Sequence, residues 1–281
     1  MSLINELKYL LDINRIVPNK LRGQNFCIDQ DVLNKMVKLS RVNRNDLVLE
    51  VGPGFGFLTL ELVKQAKEVV AIEFDTGLIK PLTKLARLHS NLKIVNQDIL
   101  KFDLTLLPSK KYKIVANLPY SITSYFFKRF LTGEIKPESI TVLIQKEVAE
   151  RIVTASGNLS LLAISIQLYS TPQILSIVKK DSFYPVPKVD SAILQINQIK
   201  EYPFKAQVPE KVFWQVVRSG FSAKRKQLHN NFKNSLHLDS KKVDLLFKKA
   251  GLSKEFRAQD LEINDWLKLA KSYQELFVDD I

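Results

Sequence analysis

From Leu47 onward the chain alternates short apolar runs with longer segments whose apolar residues recur at helical spacing. That pattern predicts strands followed by helices in a doubly wound α/β sheet. Strands are expected over residues 47–51, 69–73, 92–96, 114–116, 140–144, 174–178 and 192–196, and helices over 58–64, 78–88, about 122–131, from 146, and over 159–169. Ahead of the sheet, residues 3–11 read as a short amphipathic helix, and Asp29 can cap a helix reaching about Leu39. Residues 183–188 read as a stiff aromatic loop. Beyond about residue 200 only helical spacing remains, over 212–219, a strongly basic stretch within 222–233, 243–249 and 266–271. The expected division is a sheet domain over 1–200 and a small all-helical domain over 201–281.

The predicted strands end in residues that suit ligand chemistry. The first runs into Gly52-Pro53-Gly54-Phe55-Gly56, and strand, glycine turn and helix let a backbone approach a nucleotide-like ligand closely. The spacing from Glu50 is E-x-G-x-G-x-G, not the G-x-G-x-x-G of dinucleotide folds, which disfavours a dehydrogenase. Glu73 ends the second strand about twenty positions after Gly52, the offset of a ribose-binding acid; a strand-ending acid facing solvent is the plainer reading. Asp98 follows the third strand, placed to accept from an adenine amine or to cap a turn. Asn117-Leu118-Pro119-Tyr120 follows the fourth. Its asparagine cannot act as a general base, but its amide both donates and accepts, which suits an amino group held in place.

Charge narrows the partner. The 281 residues carry 42 Lys+Arg against 29 Asp+Glu, a net +13, and the sequence pI near 9.6 fits nucleic acid. The basic stretch around 222–233 is a candidate for gripping phosphates. No apolar run suggests a membrane span. A single cysteine, Cys27, excludes an internal disulfide, so a reducing cytoplasm is expected, and the three histidines have no metal-ligand spacing.

Six stretches in this order resemble the small-subunit (16S) ribosomal RNA adenine dimethyltransferase family. They are Gly23 to Phe26, Glu50 to Gly56, Asn117 to Tyr120, Gln145 to Arg151, Phe183 to Ser191, and Phe221-Ser222 with Arg225-Lys226 and Asn230-Asn231. The resemblance implies a Rossmann-like S-adenosylmethionine-dependent methyltransferase sheet with a helical RNA-docking domain, acting on N6 of adenine. It places Asn25, Cys27, Gly52, Glu73, Asp98 and Asn117 at the cofactor, and Arg218, Lys224, Arg225 and Lys226 at RNA. Asn117 and Leu118 then accept the two amine hydrogens, Pro119 fixes the turn, and Tyr120 and Phe183 flank the base. The expected partner is ribosomal RNA within a small-subunit particle, bound by a cytoplasmic monomer without metal. Two departures stand out: Cys27 replaces an aliphatic residue, and the run Gly157-Asn158-Leu159-Ser160 lacks the family's arginine. The rival readings are a large-subunit (23S) adenine methyltransferase of the macrolide-resistance group and a non-catalytic RNA-binding relative.

Overall fold

The computed structural model describes residues 2–18, 23–155, 157–223 and 225–278. These form two compact units, Met1–Glu150 with Ser170–Ile199, and Arg151–Tyr169 with Lys200–Ile281.

The first unit opens with α1 (Leu3–Asn14), the two-residue strand β1 (Phe26–Cys27) and α2 (Gln30–Ser40). Asp29 caps α2 as expected, its carboxylate accepting from the Asp31 and Val32 backbone N–H groups, a contact of about 1 kcal/mol. The chain then alternates through β2 (Leu47–Val51), α3 (Phe57–Gln65), β3 (Glu68–Glu73), α4 (Thr76–Ala86), β4 (Leu92–Asn96), β5 (Lys113–Asn117), α5 (Thr123–Thr132) and β6 (Ser139–Gln145). Next come α6 (Lys146–Val153), which runs past the unit boundary, and α7 (Leu161–Gln167), which belongs to the second unit. The first unit closes with β7 (Thr171–Val178), β8 (Phe183–Tyr184) and β9 (Ser191–Asn197).

The seven-stranded sheet has the order β4-β3-β2-β5-β6-β9-β7. From β4 to β6 every pairing is parallel, and strands such as β2 are buried along their whole length, as sheets covered on both faces require. β9 is antiparallel to both neighbours. Between β7 and β9 the chain makes a 3-10 turn and β8 but no helix, so it lacks the crossover a parallel pairing needs. The separate ribbon of β1 and β8 pairs Phe26 with Tyr184 and Cys27 with Phe183. Its side chains join Leu33, Met36, Leu58 and Leu62 in the hydrophobic core.

In the second unit, α8 (Glu210–Gly220), α9 (Leu228–Ser235), α10 (Ser240–Ala250) and α11 (Ile263–Phe277) pack together. Trp266 is buried at their centre, stacked on Phe221 with ring centroids 5.5 Å apart. A Cβ on Gly220 would lie 2.3 Å from the Trp266 ring, so only glycine permits this approach. The basic stretch is not one helix: Arg225 and Lys226 sit in the turn before α9. The buried Asn231 amide donates to the Gly220 and Ala223 carbonyls, and those bonds hold the chain in a turn there.

Candidate active site

The carboxyl ends of β2, β3 and β5, the loop after β4 and the arm before β1 enclose a cavity of about 360 Å³, in the size range of small-molecule sites. Strand order reverses between β2 and β5, where open α/β sheets hold ligands. Asn25, Cys27, Gly52, Glu73, Asp98, Asn117, Leu118, Pro119 and Tyr120 all line it.

The glycine loop and the two acids form one side. Gly54 has φ +62°, and a Cβ there would lie 3.0 Å from the Phe26 ring, so backbone handedness and space both demand glycine. Its N–H donates to Glu73 Oε2 at 3.2 Å, and the Asp75 N–H donates to Glu73 Oε1 at 2.8 Å. Burial raises the Glu73 pKa, while those two donors pull it back. Glu50 is buried at 1% exposure. Burial pushes its carboxyl up to about 8; the Thr59 hydroxyl favours the charged form and the Glu73 charge opposes it. Glu50 also lines the cavity, and its Oε2 is buried without a hydrogen-bond partner among the described residues. A buried carboxylate oxygen left in this way is costly unless a ligand donor meets it. Sequence reading gave Glu50 no role of its own, although an acid inside a fully apolar strand was its visible signal.

The loop after β4 and the Asn117 motif form the other side. Asp98 Oδ1 accepts from the Leu100 N–H at 2.9 Å, so it does cap a turn, and it does so at the cavity wall. Arg129, on α5, donates to the Leu100 carbonyl at 2.6 Å and to the Phe102 carbonyl, tying the helix after the Asn117 motif to the Asp98 loop. Nothing in the local pattern around Arg129 signals that clamp. Asn117 Nδ2 donates to the Asn25 carbonyl at 2.9 Å. The Leu118 N–H donates to the Leu143 carbonyl at 3.1 Å. The Tyr120 hydroxyl lies 3.1 Å from Ser191 Oγ in a shared hydrogen bond, and burial raises its pKa.

Two predicted residues sit differently from the rest. Cys27 lines the cavity, but burial pushes its thiol up to about 12 and its Sγ donates to the Asp29 carbonyl, so it stays a neutral wall group. Phe183 does not line the cavity. In β8 it pairs with Cys27 and lies in the core at 1% exposure, and Tyr184 is partly buried against the same core. The expected stacking ring of Phe183 is thus packed in the core in this structure, beside the cavity wall formed by Cys27.

Of the basic residues, Arg218 is exposed in the last turn of α8, and Arg225 and Lys226 are exposed in the turn that Asn231 ties to the end of that helix. Lys224 lies outside the described residues. Among the described residues, no group of three His, Cys, Asp or Glu side chains is placed to hold a metal, and no helix is long and apolar enough to cross a membrane.

Residues 18–275 match the family described as Ribosomal RNA adenine dimethylase. A Ribosomal RNA small subunit methyltransferase A of Dehalococcoides mccartyi is 39% identical over 274 residues, spanning 97% of this chain and 94% of the relative. One from Clostridium botulinum is 39% identical over 257 residues, spanning 90% and 92%. Among solved structures, a dimethyladenosine transferase from Plasmodium falciparum superposes with a TM-score of 0.73 at 27% identity, covering 88% of this chain and 97% of that one. The 23S rRNA methyltransferase ErmE gives 0.67 at 25% identity, covering 88% and 98%.

Proposed function

The chain belongs to the ribosomal RNA adenine dimethylase family, and from that premise we propose that it dimethylates the N6 amine of adenine in small-subunit ribosomal RNA, with S-adenosylmethionine as methyl donor. The observation that carries the reading is the Asn117 amide, whose nitrogen is engaged by the Asn25 carbonyl at the cavity wall. With Nδ2 occupied, Oδ1 is the end left to accept from an incoming amine.

The cavity suits the cofactor on its own chemistry. Glu50 offers an unpartnered buried carboxylate oxygen to an ammonium, and Glu73 is a carboxylate held in place by two backbone donors to meet ribose hydroxyls. Asp98 is fixed at the wall to meet an adenine amine. S-adenosylmethionine, when bound, supplies an already activated methyl group, so the protein's task is alignment. Asn117 Oδ1 and the Leu118 carbonyl accept the two amine hydrogens, which turns the nitrogen lone pair away from them and out of the ring's conjugation. Pro119 stiffens the turn between them, and the Tyr120 ring, anchored through its hydroxyl to Ser191, covers the base or faces the sulfonium. Arg218, Arg225 and Lys226 with Lys224 supply the phosphate grip, in keeping with the net +13. The protein acts as a monomer in the cytoplasm on a small-subunit particle.

Relatives named for the small subunit align over nearly the whole chain at 39% identity, which favours that substrate over the 23S alternative raised by the ErmE likeness. Mapping methylated adenines after incubating the protein with small-subunit particles and, separately, with large-subunit RNA tests the choice. Methylation confined to the large-subunit RNA would overturn it.

A further inference from the structure

α5 begins directly after the Asn117 motif and carries a face of unusual composition. Ser121 and Ile122, in the 3-10 turn before it, line the cavity. Ser121, Ser124, Tyr125 and Lys128 are exposed, Tyr125 at 68%. The opposite face, Phe126, Phe127, Phe130 and Leu131, is buried, so the helix is a rigid support. The segment Thr123–Thr132 contains two cations and no acid.

A lone exposed aromatic is ordinary on a protein surface. This one stands one helical turn before a lysine, among hydroxyls, on an acid-free helix continuous with the cavity wall. From Ile122 to Tyr125 the helix rises about 5 Å, a distance of one to two stacked nucleotides at about 3.4 Å each. We propose that the exposed face of α5 is a subsite for the RNA strand beside the target adenine, where Tyr125 stacks on a neighbouring base and Lys128 pairs with its phosphate. Aromatic stacking takes any base, since every base has a π-face. The subsite therefore positions the strand without reading its sequence. It rests on the reading of the cavity as the place where the target adenine is methylated.

The test is methyl incorporation into small ribosomal subunits carrying unmethylated RNA, with wild type, Tyr125→Ala, Tyr125→Phe and Lys128→Gln. Tyr125→Ala should raise the KM for the subunits about tenfold, and Tyr125→Phe should keep the wild-type value. Both should leave the S-adenosylmethionine KM and the melting temperature unchanged. Lys128→Gln should reduce the salt dependence of binding by about one counterion. Equal subunit KM for Tyr125→Ala and wild type overturns the subsite while leaving the methylation reading intact; so does a matching rise in the cofactor KM, which marks a packing role. A wild-type protein that methylates no subunit RNA overturns the underlying reading and the subsite with it.

Discussion

Asn117 Nδ2 and the Asn25 backbone carbonyl are joined by a 2.9 Å hydrogen bond across 92 positions of sequence. The bond sets which end of the amide is available to a substrate amine, and it fastens the arm before β1 to the end of β5. Asn117→Ala removes both effects. Methyl transfer should fall about a hundredfold or more, the scale of lost alignment, with the protein still folded. Asn117→Asp tests the donor alone, because a carboxylate meets the Asn25 carbonyl with no hydrogen to give. It should weaken cofactor binding as well as turnover, measured by calorimetry beside single-turnover rates. Near-wild-type turnover in either variant would remove Asn117 from the mechanism.

Glu50 makes the site pH-dependent in a defined direction. Its carboxyl holds a proton to about pH 8 in the fold, against 4.5 as the usual value. The folded state therefore binds the extra proton between those limits, and the ligand-free protein should lose stability as pH rises from about 4.5 to about 8. A cofactor ammonium favours the charged carboxylate, so S-adenosylmethionine should bind more tightly as pH rises over the same window. Melting and binding curves for Glu50→Gln should be flatter than wild type; parallel curves would refute the assignment.

Phe183→Ala should cost about 3 to 5 kcal/mol of stability, the range for truncating a buried aromatic, read from urea midpoints. Phe183→Leu should cost much less. A Phe183→Ala protein of wild-type stability that has lost only methyl transfer would instead assign Phe183 to stacking on the base.

In the helical unit, Asn231→Ala releases the Gly220 and Ala223 carbonyls from their shared donor. Stability should drop by about 2 kcal/mol, in line with unpaired buried carbonyls, and affinity for RNA should fall with it. Titration with S-adenosylmethionine should give the wild-type dissociation constant. Unchanged RNA affinity would show that the turn carrying Arg225 and Lys226 is not a docking element.

Much of the sheet was legible because buried parallel strands write themselves as apolar runs. β4 matches its expected bounds at both ends, and β2 and its glycine loop fall where the pattern puts them. The antiparallel direction of β9 was not legible, since an apolar run carries no arrow and only the connection sets it. The burial of Phe183 was not legible, because a two-residue strand is too short to reveal how deeply Phe183 and Tyr184 pack. Arg225 and Lys226 read as helical through charge alone, whereas the bonds that hold their turn come from Asn231, several positions later. The Arg129 clamp and the unpartnered Glu50 oxygen exist only once distant segments meet.

The ribbon of β1 and β8 is held by two residue pairs, outside the seven-stranded sheet. Asn25, beside it, forms part of the cavity wall. The site is thus fenced on one side by the segment with the least sheet pairing in its unit. What fixes so short a ribbon is burial, since Phe26, Cys27 and Phe183 all lie in the hydrophobic core. Displacing the arm would break the Asn117–Asn25 bond and uncover those three side chains, so the cavity wall and the amide facing it hold or give way together.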